Sequence, residues 1–236
     1  MGRGENLVTH SMSRIVFITG TDTGVGKTLL TGLMLHHLRQ SGCHALAMKP
    51  FCCGGRADVE FLCAVQQREL TLDEINPFFF EKPLAPLSAA REKHVAIRLP
   101  EVLRRISDLA KRCEWLLIEG IGGVMVPLGD RFSVLDLIVD LGCSTVVVSR
   151  NKLGTLNHTM LTVEAMQHAR IKEFKVVLMA SQEKDYSSDS NGRILSELLA
   201  PTPIIPIPYL GGNPVQFPAL KLSENKVKKT LAQILS

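Results

Sequence analysis

The stretch Gly20-Thr21-Asp22-Thr23-Gly24-Val25-Gly26-Lys27-Thr28 gathers the residue types that grip a phosphate chain. Gly24 and Gly26 let the backbone close around an anion. The helix N-terminus adds N–H donors and a positive dipole, Lys27 reaches terminal phosphates, and Thr28 offers a hydroxyl to Mg²⁺. The strict G-x-x-x-x-G-K-[ST] spacing fails, because Thr21 stands at its first glycine and the glycine is displaced to Gly20. The Gly-Lys-Thr end survives and predicts a nucleoside-triphosphate cradle.

Three further positions could share that chemistry. Lys49 ends the apolar run His44-Ala45-Leu46-Ala47-Met48, so it points to the crevice at the carboxyl edge of an open α/β sheet, unless it is only an exposed strand end. Asp58 opens an apolar helical segment, Val59 to Val65, where an aspartate is commonly an N-terminal cap; a Mg-nucleotide site, however, needs nearby carboxylates. Glu119 terminates Trp115-Leu116-Leu117-Ile118 beside Gly120, Gly122 and Gly123, as a second metal-side acid does. A second strand-to-helix turn, Arg150 to His158, is a candidate carboxylate site, although an asparagine such as Asn157 is more often a cap there than a ligand.

These residues need an alternation of strands and helices to hold them. Ile15-Val16-Phe17-Ile18 is a β-branched, apolar run before the first loop, and Leu30, Met34 and Leu38 repeat at helical spacing after it. Strands are predicted at 144–149, 174–179 and, as an edge strand limited by prolines, 204–208. Helices are predicted from Leu99, at 134–141, 159–169, 188–199 and 227–235. Thr71 to Leu87, with Pro77, Pro83, Pro86 and three phenylalanines, reads as a long ordered loop covering a site. The fold class expected is α/β, a single-domain, mostly parallel sheet with helices on both faces. Residues 1–13 are set apart as a disordered extension or the product of a different start, with Met12 as an alternative beginning and 14–236 as the domain.

Bulk properties narrow the function. The chain has 236 residues, 45% of them hydrophobic, enough for one substantial core. A net charge of +4 without a basic run argues against nucleic-acid binding, and no apolar stretch is long enough to span a bilayer. Six cysteines without CxxC spacing read as reduced thiols, and an amino terminus without the apolar core of a secretion signal fits a cytosolic enzyme.

Taken in order, the loop at 20–28, Lys49-Pro50, Asp58, Glu119-Gly120-Ile121-Gly122-Gly123 and Lys152-Leu153-Gly154-Thr155-Leu156-Asn157-His158 resemble the dethiobiotin synthetases, ATP-dependent ligases of the biotin pathway built on the P-loop NTPase fold. The resemblance spans nearly the whole chain after the extension. It implies that 7,8-diaminononanoate takes up CO₂ as a carbamate, that ATP phosphorylates it, and that the second amine closes a cyclic urea.

On that resemblance Lys27 and Lys49 would be catalytic, and Thr28, Asp58 and Glu119 would surround Mg²⁺. Thr23, Gly24, Val25, Gly26, Lys27 and Thr28 would hold ATP together with Glu119, Gly122, Pro208 and Asn213. Thr23, Lys49 and Cys53 would hold the carbamate. The turn Gly154, Thr155, Leu156 and Asn157 would receive the substrate carboxylate across a homodimer interface. Three positions depart from the family: Cys53 replaces a serine, Met179 an adenine-reading asparagine, and Leu87 a histidine.

Rival readings are a ParA/MinD-like switch ATPase, an amidating relative, or a diverged paralogue with another substrate. The switch proteins carry a signature lysine where this chain has Asp22, and no chain remains for the glutaminase domain that amidation normally needs.

Overall fold

The computed structural model describes residues 13–183, 185–211 and 217–236, except the side chains of 217–219 and 222. Asn213 and residues 1–12 of the expected extension lie outside the described residues.

The chain begins with β1 (Arg14–Gly20), α1 (Lys27–Gln40) and β2 (Ala45–Met48). β3 (Phe51–Cys53), α2 (Ala57–Val65), α3 (Leu72–Ile75), β4 (Phe78–Phe80) and α4 (Pro86–Glu92) follow. Next come α5 (Leu99–Ala110), β5 (Trp115–Gly123), β6 (Pro127–Gly129), β7 (Phe132–Ser133) and α6 (Val134–Leu141). β8 (Ser144–Arg150), α7 (Thr155–His168), β9 (Phe174–Met179), a 3₁₀ turn (Tyr186–Asp189), α8 (Asn191–Leu198), β10 (Ile204–Ile207) and α9 (Phe217–Leu235) complete the order.

Six of the strands form one sheet in the order β10-β9-β8-β1-β5-β2, and every pairing in it is parallel. Period-two side-chain alternation splits the core into two layers. Phe17, Leu46, Leu116, Ile118 and Val147 face a layer closed by α5, α6 and α7, while Val16, Ile18, Ala47, Leu117 and Val148 face α1 and α9. Each of these side chains except that of Ala47, removed from water, contributes about 1.5–3 kcal/mol before the entropy cost of folding. The two helical layers share the sheet, as the expected α/β architecture with helices on both faces requires.

β2 and β5 lie on one side of β1 and β8 on the other, which opens a crevice at the carboxyl edge where the strand order reverses. The sheet thereby delivers Gly20, Lys49 and Glu119 to one place.

The stretch from Thr71 to Leu87 corrects the loop expectation. Thr71 caps α3 through a reciprocal capping box with Glu74. Phe78-Phe79-Phe80 pairs with Phe51-Cys52-Cys53, Phe51 stacking on Phe78 with centroids 5.0 Å apart. Pro86 occupies the first turn of α4, where its missing N–H costs nothing. Only the segment around Pro83 remains a loop. The helix expected at Thr159 begins four residues earlier, at Thr155, and the last helix begins at Phe217 rather than Val227.

Candidate active site

The loop after β1 is shaped by close approaches. A Cβ on Gly20 would lie 2.8 Å from Val25 Cγ2 and 3.2 Å from Lys27 Nζ, so the displaced glycine is what lets the loop fold back over the lysine. Thr21 has no positive φ, which explains why a non-glycine residue stands at the strict motif's first position. Gly26, the N-cap of α1, has φ +108°, a conformation that only glycine adopts freely.

Lys27 is buried, and its ammonium donates to the carbonyls of Asp22 at 2.8 Å and Gly122 at 3.0 Å. Burial draws its pKa down to about 8, against the opposing pull of Glu119 and Asp58. The Asp22 carboxylate accepts the N–H of Thr23 at 2.6 Å.

A polar knot joins four segments beside this loop. Thr28, in the first turn of α1, donates its hydroxyl to Glu119 Oε1 at 2.7 Å. Lys49, following β2, donates to the same oxygen at 2.7 Å and to Asp58 Oδ2 from the first turn of α2. Burial works against the Lys49 charge, but Glu119 and then Asp58 outweigh it and push the pKa up. Asp58 therefore faces the site; the N-cap of α2 is Arg56, and no side chain caps that helix end.

Glu119 is 1% exposed, and its Oε2 has no hydrogen-bond partner. That orphaned carboxylate oxygen, with the Thr28 hydroxyl and the Asp58 carboxylate, is an all-oxygen donor set that suits a hard divalent cation. Among the described residues no three His, Cys, Asp or Glu cluster to hold a metal, but Mg²⁺ beside a nucleotide takes only one or two carboxylates, the phosphates and water. The residues present fit such an ion.

Thr23, Gly24, Gly26, Lys27, Thr28, Lys49, Cys53, Asp58, Glu119 and Gly122 line one cavity of about 660 Å³. The described structure thus brings together nearly all the loop and carboxylate positions singled out from sequence. Pro83, Leu84, Ala85 and Pro86 form part of its wall. This wall is tight against the opposite loop, since a Cβ on Gly54 would meet Pro83 Cβ at 2.8 Å. Leu29, Ile121 and Val126 also line it and were not singled out, although Ile121 lies inside the flagged glycine run. Cys53 faces the cavity, its thiol pushed up to about 11 by burial and then by Cys52. Leu87 is half-buried on α4 and lies outside the cavity lining.

A second recess of about 290 Å³ opens on the other side of the loop. Val25, Gly26, Met179, Ser181, Pro208 and Tyr209 are among its walls, and Met179 packs so that a Cβ on Gly26 would touch its Cγ at 3.3 Å. Pro208 and Val25 thus sit together here rather than in the larger cavity.

The second strand-to-helix turn is placed differently. Gly154, Leu156 and Asn157 line neither the cavity nor this recess of their own chain. Thr155 is turned inward, 2% exposed, its hydroxyl 2.7 Å from Ser149 Oγ, because α7 starts at this residue and packs it on β8. Its hydroxyl is therefore engaged within the fold. Ser149 also accepts the Thr159 hydroxyl at 2.9 Å and that of Thr21 at 3.5 Å, linking the turn to the first loop.

A glycine-lined strand-to-helix loop at the switch point of a parallel sheet, with a lysine, a threonine and an acid borne on β5 aimed at the same cavity, defines a nucleotide-binding protein of the P-loop class. Solved structures agree on the fold: a ParA family ATPase from Chlorobium tepidum superposes with a TM-score of 0.56 at 16% identity, over 95% of this chain and 96% of that one. A chain of the MinC:MinD cell division protein complex of Aquifex aeolicus gives 0.55 at 12% identity, over 90% and 86%.

A family model described as an AAA domain matches residues 14–212. The ATP-dependent dethiobiotin synthetase BioD of Thermodesulfovibrio yellowstonii is 35% identical over 211 residues, covering 82% of this chain and 88% of that protein. The protein of the same name from an Anaeromyxobacter species is 40% identical, over 73% and 79%. The chain belongs to the family of ATP-dependent dethiobiotin synthetases.

Proposed function

We propose that the chain is an ATP- and Mg²⁺-dependent cyclo-ligase that converts 7,8-diaminononanoate and CO₂ to dethiobiotin. One observation carries this reading: Lys27, Thr28, Lys49, Asp58 and Glu119, from four separate elements, converge on a single cavity with room for a substrate beside the phosphate loop.

In the reaction an amine nitrogen bonds to the carbon of CO₂ and sheds a proton, giving a carbamate. A carbamate oxygen then attacks the γ-phosphorus, ADP leaves, and the second amine attacks the carbamoyl carbon to expel phosphate and close the ring. Lys27 lies against the loop to balance charge on the transferring phosphoryl group, and the amides from Gly24 to Thr28 hold the phosphate chain. Lys49 and Thr23 hold the carbamate and its phosphorylated form, with Cys53 beside them. Thr28, Asp58 and Glu119 would hold Mg²⁺, which neutralises phosphate charge when bound. The chemistry needs positioning and charge, so no cysteine or histidine nucleophile is required.

The base of ATP is assigned to the recess between Val25, Met179 and Pro208. The substrate carboxylate is assigned to the turn Gly154 to Asn157 of a second copy. Two features support a homodimer: the turn lines no large cavity of its own chain, and Leu153 and Leu161 beside it are 79% and 59% exposed.

The test is direct. Purified protein with the diamine, ATP, Mg²⁺ and labelled bicarbonate should place label in an acid-stable ring product. ATP turnover that is indifferent to the diamine would instead favour a nucleotide switch and remove the synthetic reading.

A further inference from the structure

Lys49 is 5% exposed, and its ammonium is shared by Asp58 Oδ2 and Glu119 Oε1. These are the two carboxylates assigned above to the metal, and this inference rests on that assignment. Glu119 Oε1 is doubly engaged, by Lys49 and by the Thr28 hydroxyl, whereas Glu119 Oε2 is buried and has no partner. A divalent ion that takes the free Glu119 Oε2 and an Asp58 oxygen draws on the same two carboxylate charges that hold the Lys49 ammonium. It also sets a second, larger positive charge beside the ammonium in a poorly solvated place.

We propose that Lys49 is the built-in counter-ion of the metal site and is exchanged for the metal. Metal entry weakens the hold of Asp58 and Glu119 on the ammonium. Lys49 lines the cavity, so once released it is positioned to hold an anionic group there, a carbamate or its phosphoryl anhydride. Metal and anionic substrate then bind with positive linkage, each favouring the state in which Lys49 has left the carboxylates. The order this imposes is useful chemically. The carbamate site is fully formed only when the ion that serves phosphoryl transfer is present, so carbamate is not gathered where it cannot be phosphorylated.

The test uses the full chain and Mn²⁺ in place of Mg²⁺, with free Mn²⁺ counted by its solution EPR signal, with and without a non-hydrolysable ATP analogue. Lys49→Met removes the competing cation and should tighten Mn²⁺ binding roughly tenfold or more. Lys49→Arg keeps a competing cation and should bind Mn²⁺ more weakly than Lys49→Met does. Equal or weaker Mn²⁺ binding by Lys49→Met overturns the exchange while leaving the metal assignment intact. If wild type binds no Mn²⁺ even with the ATP analogue, the metal assignment fails and the exchange with it.

Because two carboxylates left without Lys49 can destabilise the Met variant, a second measurement uses wild type alone. The ammonium signal of ¹⁵N-labelled Lys49, shielded from water in the bridge, should broaden on saturation with Mg²⁺ and the ATP analogue. A signal that persists unchanged overturns the proposal.

Discussion

The hydroxyl of Thr28 donates to Oε1 of Glu119 across 2.7 Å, tying the first turn of α1 to the middle of β5, which runs past Glu119 to Gly123. The bond keeps the threonine oxygen and a buried carboxylate in register with each other before any ligand arrives. Thr28→Val preserves shape and removes the oxygen. It should raise the Mg²⁺ concentration needed for half-maximal ATP turnover by roughly 10–100-fold, with little change in the thermal midpoint. A metal requirement equal to that of wild type would show that Thr28 has no part in holding the ion.

Gly32 tests the scaffold separately from the chemistry. It lies on α1 where a Cβ would sit 2.4 Å from Phe61 Cε1 on α2, so the two helices meet through a missing side chain. Gly32→Ala should destabilise the fold by roughly 1–3 kcal/mol through overpacking, after a small gain in helix propensity. Thermal denaturation should show a lowered midpoint while the KM for ATP at 20 °C or below stays near wild type. An unchanged midpoint would mean Phe61 moves aside freely.

Much of this arrangement was legible in the residues because local pattern and local structure agree. The run Ile15 to Ile18 followed by Gly-Lys-Thr can be little else than a buried strand feeding a phosphate loop. Glu119 and Lys49 were visible because each ends an apolar run at a sheet edge. What was hidden depends on distant partners. Phe78 to Phe80 becomes a strand only by pairing with Phe51 to Cys53, and three residues carry too little periodicity to announce it. Similarly, nothing in the turn's own sequence shows that the Thr155 hydroxyl pairs with Ser149 near the end of β8. The joint hold of Asp58 and Glu119 on Lys49 was not readable at all, since it brings together residues 9 and 70 positions from the lysine.

Lys27 makes nucleotide binding proton-linked. Burial brings its pKa to about 8, so near pH 8 the free protein carries this lysine in both protonation states. Bound phosphates favour the ammonium, and the pKa rises. The sign is therefore proton uptake on ATP binding: about half a proton at pH 8, and little at pH 6.5 where the lysine is already charged. Calorimetry in buffers of different ionisation enthalpy measures it directly. Lys27→Arg should bind without the uptake, because a guanidinium stays protonated; an equal uptake in that variant would assign the proton elsewhere.

Met179 bears on base selection. The recess where it meets Gly26 and Pro208 presents a thioether at the position where the resemblance to the dethiobiotin synthetases implies an asparagine. Apolar contact discriminates between similar ligands by only about 10–200-fold, whereas a hydrogen-bonding site rejects a mismatched edge far more strongly. Wild type should accept GTP within about two orders of magnitude of ATP in kcat/KM. Met179→Asn should widen that gap in favour of ATP. Strict ATP preference in wild type would place base reading on backbone groups of the recess instead.

Leu153 reports on assembly. It is 79% exposed at the start of the second turn, its N–H held by Asp185 Oδ2 at 2.7 Å, so the loop presents an apolar side chain outward on a fixed backbone. In the proposed homodimer this leucine lies in the subunit contact. Leu153→Asp keeps the backbone bond and places a charge in that contact. Sedimentation should show wild type as a dimer and the variant shifted to monomer at micromolar concentration. Ring formation should fall together with dimerisation while binding of an ATP analogue persists, because the phosphate loop belongs to one chain and the carboxylate turn is proposed to serve the other. A monomeric variant that still closes the ring at the wild-type rate would mean that the turn acts on its own chain or not at all.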